Sequence, residues 1–301
     1  MKTPIISKPL KPGDTIGIVA PAASFEIDKF QKGVSVIKDL GFNVEVPDGI
    51  FQQKRYLAGD DEHRAKVFDS IASCSDIDAI ICARGGFGTL RVLPHLTERL
   101  LTYSPKRFIG FSDITPLINI LAFKHGWTTF HGPVVTMMAE ADTQTIDSFY
   151  KALTIPFQDT MPQYDPVRIL SKGKTQIVSG RLWGGNLTTL CHMIGTPYAV
   201  NSPASILFLE DRGEAPYRID RLLFHLKMSA SFESVKGVLL GSFQDCGDIE
   251  IIHELILECF GDEIPIFTGY KCGHTLPNYT FPIGFRAEMN TSDISVRFLR
   301  V

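Results

Sequence analysis

Apolar runs and apolar periodicities alternate along the first half of the chain. Thr15–Ala20 (TIGIVA) is a short apolar run closed by Pro21-Ala22-Ala23-Ser24, and it reads as a buried strand ending in a loop. From Asp28 to Leu40, Phe30, Val34, Val36, Ile37 and Leu40 recur near the 3.6-residue period of a helix. Gly41 is placed to cap that helix, because glycine enters the left-handed region without steric cost. Asn43–Val46 reads as a second strand. Asp60–Ser73 reads as a second helix, opened by acidic residues that suit its positive N-terminal end. Ile77–Ala83 is a buried strand followed by Arg84-Gly85-Gly86-Phe87-Gly88, and a short helix then runs to about Leu93, where Pro94 is expected to stop it. Arg107–Phe111 is a strand and Ile114–Lys124 a helix. This alternation predicts an α/β fold, with a parallel sheet covered by helices on both faces and ligands at the carboxyl ends of its strands.

The pattern changes where Pro156, Pro162 and Pro166 interrupt it and no periodic apolar face spans them. A linker is expected at 156–172, separating an N-terminal α/β domain (1–155) from a C-terminal domain (173–301). The C-terminal part is richer in strand-like runs, at Thr175–Val178, Ala204–Leu209 and Val235–Leu240, with a helix over Arg218–Met228.

Composition narrows the function classes. The 301 residues are 44% hydrophobic and 21% charged, enough to build a core and unlike a disordered chain. A formal net charge of −3, with like charges nowhere in a block of five, argues against a nucleic-acid binder. The six cysteines form no C-x-x-C pair, so neither a zinc ribbon nor a thioredoxin-type motif is indicated, and they read as buried thiols. The N-terminal residues lack the apolar core of a signal peptide, and no apolar stretch approaches the roughly 18–20 residues of a membrane span. A soluble cytoplasmic protein with no membrane association is the expectation.

Three strand-end segments carry candidate chemistry: Gly110-Phe111-Ser112-Asp113, Leu209-Glu210-Asp211 and Gly273-His274-Thr275. They offer a hydroxyl, a carboxylate and an imidazole. A serine hydroxyl needs a base to take its proton and a third group to orient that base. Ser112 falls between a strand and a helix, where a sharp turn would present its hydroxyl and aim free backbone N–H groups at an oxyanion. It departs from G-x-S-x-G, since Ile114 stands at the second position after it, and an N-cap serine is the plainer reading. The glycines at 85, 86 and 88 do not make G-x-G-x-x-G and fit a tight turn or a substrate-contacting loop better than a dinucleotide site. Either Glu210 or Asp211 could orient a histidine, or pair with a nearby arginine. His274 lies in a Gly- and Pro-flanked loop suited to a catalytic base, and His131 in Phe130-His131-Gly132-Pro133 competes with it. Gly173-Lys174-Thr175 lacks the first glycine of a P-loop, and His253-Glu254 lacks the second histidine of H-E-x-x-H, so neither a phosphate loop nor a metal site is read.

Taken in order, Gly13-Asp14-Thr15-Ile16-Gly17-Ile18-Val19-Ala20-Pro21-Ala22, Arg84-Gly85-Gly86-Phe87-Gly88, Ile109-Gly110-Phe111-Ser112-Asp113, Gly184-Gly185-Asn186-Leu187, Leu209-Glu210-Asp211 and Gly273-His274 resemble an LD-carboxypeptidase of the serine peptidase family that includes muramoyltetrapeptide carboxypeptidase. The resemblance spans nearly the whole chain. It implies a flavodoxin-like N-terminal domain carrying the nucleophile Ser112, and a β-rich C-terminal domain carrying Glu210 as orienting acid and His274 as base. It implies removal of terminal D-alanine from the tetrapeptide of recycled muropeptides, without metal or organic cofactor, by a cytoplasmic and often dimeric enzyme. The backbone N–H groups of Asp113 and of Gly85 or Gly86 are the expected oxyanion donors. Asn186 is expected to shape the cleft, and Arg84 to grip the product carboxylate. Two other readings share these residues: an amidase that inactivates acyl-adenylate antibiotics related to microcin C, and a non-catalytic binder of cell-wall peptides.

Overall fold

The computed structural model describes residues 2–96, 99–156, 168–200, 202–229 and 234–299. The first sheet is built from β1 (Thr15–Val19), β2 (Asn43–Glu45), β3 (Ala79–Cys82), β4 (Arg107–Gly110) and β5 (Thr128–His131). All five run parallel in the order β2-β1-β3-β4-β5, which is the flavodoxin-like doubly wound order. Its helices are α1 (Ile27–Asp39), α2 (Asp61–Ser73), α3 (Thr89–Leu96), α4 (Thr115–Ile120), α5 (Val135–Met138) and α6 (Thr143–Thr154). Every residue of β3, β4 and β5 is buried, as expected for central strands covered on both faces.

Two local expectations are corrected. Helix α3 runs through Pro94 to Leu96. Pro94 cannot donate to the Leu90 carbonyl, but the buried side chains of Val92, Leu93 and Leu96 hold the last turn by packing. The expected helix at Ile114–Lys124 is composite: a 3₁₀ turn at Ser112–Ile114, then α4, then a wider π turn at Leu121–His125 that ends on Gly126 at φ +75°.

The second sheet contains β6 (Arg168–Lys172), β7 (Ile177–Asn186), β8 (Ser205–Arg212), β9 (Val235–Gln244) and β10 (Pro265–Thr268). The connections carry α7 (Leu187–Met193), α8 (Pro216–Lys227) and α9 (Ile249–Phe260). After β11 (Phe281–Ile283) come β12 (Arg286–Asn290) and β13 (Ser295–Leu299), giving the order β13-β12-β7-β8-β9-β10-β6. This half is β-rich, and its four central strands are parallel with antiparallel edges. The last five residues of the expected linker form β6, and residues 157–167 lie outside the described residues.

The halves interleave. Strand β11 leaves the C-terminal half and pairs antiparallel with β5, setting Phe281 opposite His131. Helix α4 in turn lies against the end of β7. There the buried side chain of Asn119 donates to the Gly184 carbonyl at 2.8 Å and accepts from the Gly184 N–H at 3.1 Å. Close by, Thr115 Oγ1 accepts from the Asn186 N–H at 3.1 Å. Gly185, at φ +140°, has no Cβ because Thr115 occupies the space one would need. An Asn119→Ala protein leaves two buried backbone groups short of a partner. Urea denaturation is expected to show a loss of about 2–4 kcal/mol, since each orphaned group costs roughly 1–3 kcal/mol.

Candidate active site

Ser112 stands one residue beyond Phe111, just after β4 has ended at Gly110. Its φ is +62°, a left-handed conformation that costs a side-chain-bearing residue roughly 1–2 kcal/mol. The sharp reversal turns the side chain above the carboxyl edge of the sheet. The glycine loop after β3 closes on it: a Cβ on Gly85 would lie 2.9 Å from Ser112 Cβ.

The other two groups come from the second half. Glu210 is the sixth residue of β8 and fully buried. His274 lies on the loop between β10 and β11. Its Nδ1–H donates to Glu210 Oε2 at 2.7 Å, which leaves Nε2 to accept from the Ser112 hydroxyl at 3.0 Å. Gly273 carries the loop at φ +104°, and a Cβ there would lie 2.6 Å from Glu210 Oε2. The Gly273 N–H donates to Asn278 Oδ1 at 2.9 Å, and the Asn278 N–H donates to Thr145 Oγ1 at 2.9 Å, so the loop is tied to α6. The Phe111 ring, 4.9 Å from the His274 ring between centroids, packs against one side of the imidazole.

Side chains alternate along β8, which separates the adjacent acids. Asp211 turns away from the imidazole. It accepts from Asn186 Nδ2 at 2.9 Å and from the Thr188 N–H and hydroxyl at 2.9 and 2.8 Å, holding the start of α7. Burial, then the negative charge of Glu210, raises its carboxyl above the usual range. Asn186 also caps α7, accepting from the Thr189 N–H at 3.0 Å. The Asp113 carboxylate accepts from the Thr89 N–H at 2.8 Å, and burial raises it as well. Arg84 is exposed and donates to the Ser24 carbonyl at 2.7 Å. His131 lies behind the site, its ring centroid 4.9 Å from Phe208, 5.2 Å from Phe281 and 5.8 Å from Phe111. Burial, with a smaller contribution from His274, holds its pKa down to about 3.

The cleft has two lobes that share Gly86, Ser112, Arg212 and His274. The larger, about 610 Å³, extends past Arg84, Lys29 and Gln244; the smaller, about 230 Å³, extends past Asp113, Asn186, His192 and Glu214. Arg212, His192 and Glu214 were not among the site residues expected from the sequence. The position of Arg212 and Glu214 two and four residues after Glu210, beyond a buried strand, was the available signal. Among the described residues, no group of three or more His, Cys, Asp or Glu could hold a metal ion, and no helix is long and apolar enough to cross a membrane.

Comparison with known proteins gives the family to which the chain is related. Residues 16–132 match a family model described as the LD-carboxypeptidase N-terminal domain, and residues 179–289 match that of the LD-carboxypeptidase C-terminal domain. The chain is 34% identical to a probable murein peptide carboxypeptidase of Bacillus subtilis, covering 95% of this chain and 92% of the relative. It is 33% identical to a murein tetrapeptide carboxypeptidase of Pseudomonas aeruginosa, covering 91% and 92%. The crystal structure of an MccF-like protein from Bacillus anthracis superposes with a TM-score of 0.88 at 27% identity, covering 99% of this chain and all of that one.

The buried neutral His131 makes stability depend on pH. The unfolded chain protonates this ring below about pH 6.5, whereas the folded protein leaves it neutral down to about pH 3. Its contribution is therefore complete above pH 6.5 and is lost as the pH falls toward 3. Denaturation curves at pH 6, 5 and 4 are expected to fall less steeply for His131→Gln than for wild type. The expected difference is one proton's worth, ~1.4 kcal/mol per pH unit.

Proposed function

The chain belongs to the LD-carboxypeptidase family, and on that premise we propose that it is a serine carboxypeptidase that removes the terminal D-alanine from murein tetrapeptides. The observation that carries the reading is the continuous path from Ser112 Oγ through His274 to Glu210, with steps of 3.0 and 2.7 Å, opening on a two-lobed cleft.

In this mechanism His274 takes the hydroxyl proton as Ser112 attacks the carbonyl between the L-centre of the diamino acid and D-alanine. Glu210 holds the imidazole tautomer and stabilises its positive charge. The backbone N–H of Asp113 and that of Gly85 or Gly86 receive the oxyanion, each worth about 3–4 kcal/mol at the transition state. His274 then gives its proton to the departing amine, D-alanine leaves, and water hydrolyses the acyl-serine by the same path. Of the cleft-wall cations, Lys29 is paired with Glu140, and Arg84 and Arg212 are the partners for the substrate's terminal carboxylate. Asn186 acts indirectly, through its bonds to Asp211 and α7. The buried His131 has no part in proton transfer.

We place the enzyme in the cytoplasm as a homodimer. Among the described residues all six cysteines are free, which suits a reducing compartment. Tyr217, Phe224 and Met228 leave large apolar surfaces exposed. At positions i, i+7 and i+11 they lie on one face of α8 and its C-terminal cap.

Three outcomes follow. Ser112→Ala is expected to lower the rate of D-alanine release from muramoyl tetrapeptide by about 10⁴-fold or more, and release at the wild-type rate would remove the mechanism. Offered both muramoyl tetrapeptide and an acyl-sulfamoyl adenylate, the enzyme is expected to turn over the first. Turnover of the second alone would assign it to the microcin branch, and binding of tetrapeptide without release would leave a peptide-binding protein. Light scattering is expected to give twice the chain mass for wild type and a shift toward the single-chain mass for Phe224→Glu/Met228→Glu.

A further inference from the structure

Glu210 places the most demanding requirement on its surroundings. The residue is fully buried, its Oε2 is bound to His274, and its Oε1 has no hydrogen-bond partner. A buried carboxylate with one donor is costly to keep charged.

A second unpartnered polar atom lies next to it. The hydroxyl oxygen of Ser242, on the adjacent strand β9, is also buried without a partner. The register between the strands brings the two residues together. Leu209 pairs with Leu240 and Asp211 with Phe243, so the single residue Glu210 faces two residues, Gly241 and Ser242. That is a β-bulge, a device that re-aims a side chain. Gly273 marks where the groups converge, since a Cβ on it would lie 2.6 Å from Glu210 Oε2 and 2.8 Å from Ser242 Oγ. The backbone of Ser242 reaches the same loop, its N–H donating to the Cys272 carbonyl at 3.0 Å. Two residues later in that loop stands His274. Gly241 completes the bulge, because a Cβ there would lie 2.8 Å from the same Cys272 carbonyl oxygen.

We propose that Ser242 is a positioning residue of the Ser112–His274–Glu210 constellation. Its hydroxyl donates to the Glu210 carboxylate, by rotation about χ1 or across one bridging water, and its N–H fixes the loop that carries His274. The hydroxyl sets the orientation of the acid and so the aim of the imidazole, without touching substrate. This inference rests on the catalytic reading of the three residues.

The test is a double-mutant cycle on the full chain, following D-alanine release from muramoyl tetrapeptide. Ser242→Ala and the near-isosteric Ser242→Cys are expected to lower kcat about ten- to hundredfold with KM within twofold of wild type. That is the size of one hydrogen bond to a charged group. In a Glu210→Gln background, where the charge is gone, the same substitutions are expected to change kcat by less than about twofold. Ser242→Cys keeps the volume of the site, so it reads out the hydroxyl even where the alanine protein folds poorly. Wild-type kcat in both variants, or an equal loss with and without the Glu210 charge, would overturn the role of Ser242 while Ser112→Ala remained inactive. An active Ser112→Ala would instead overturn the catalytic reading beneath it.

Discussion

A carboxylate sealed from solvent and held 2.7 Å from an imidazole imposes the main constraint on this molecule. Glu210 sits on a central strand, so its charge needs fixed partners supplied by the protein rather than by water. His274 is the principal one, and the loop that delivers it must approach the strand closely. Gly273, at φ +104°, permits that approach, and Asn278 ties the loop to α6 on the far side. The same economy governs Ser112. Its left-handed backbone presents the hydroxyl to the imidazole, and Gly85 is small enough for the neighbouring loop to lie against it.

The hydroxyl and the imidazole come from different halves of the chain, so their 3.0 Å contact is only as precise as the seam between those halves. The seam is interleaved rather than merely apposed. One strand of the C-terminal half completes the N-terminal sheet, and Asn119 reaches across to both backbone groups of Gly184. The aromatic cluster around His131 fills the space behind the site, where Phe208 from β8 and Phe281 from β11 meet a residue of β5. A site assembled this way depends on packing well away from the reacting atoms.

Much of this was legible in the residues. The central strands of the first sheet are short apolar or glycine-ended runs, the first helix carries a clear 3.6 period and the second opens on acidic residues, so the doubly wound half could be read directly. Ser112, Glu210 and His274 each stood at a strand end or in a glycine-flanked loop. Local pattern alone left Glu210 against Asp211 and His274 against His131, and resemblance to a family separated them. The structure places Glu210 beside the imidazole, turns Asp211 to the start of α7, and buries His131 among phenylalanines. Other features were silent for physical reasons. Strand β11 is three residues long and owes its pairing to β5, more than a hundred residues away. Arg212 lines the cleft because β8 extends beyond its apolar run, and Glu214 because the turn after β8 folds back along it, neither of which hydrophobicity signals. The β9 bulge is a property of two strands in register and has no signature in either one.

The central claim is that a seryl ester forms on Ser112 as D-alanine leaves. Rapid-quench mass spectrometry of the wild-type protein with muramoyl tetrapeptide tests it most directly. The account predicts that the proteolytic fragment containing Ser112 gains the mass of the acyl group, substrate less D-alanine, in step with the first burst of free D-alanine. The same acyl mass on a fragment lacking Ser112, or a burst that persists in Ser112→Ala, would contradict it.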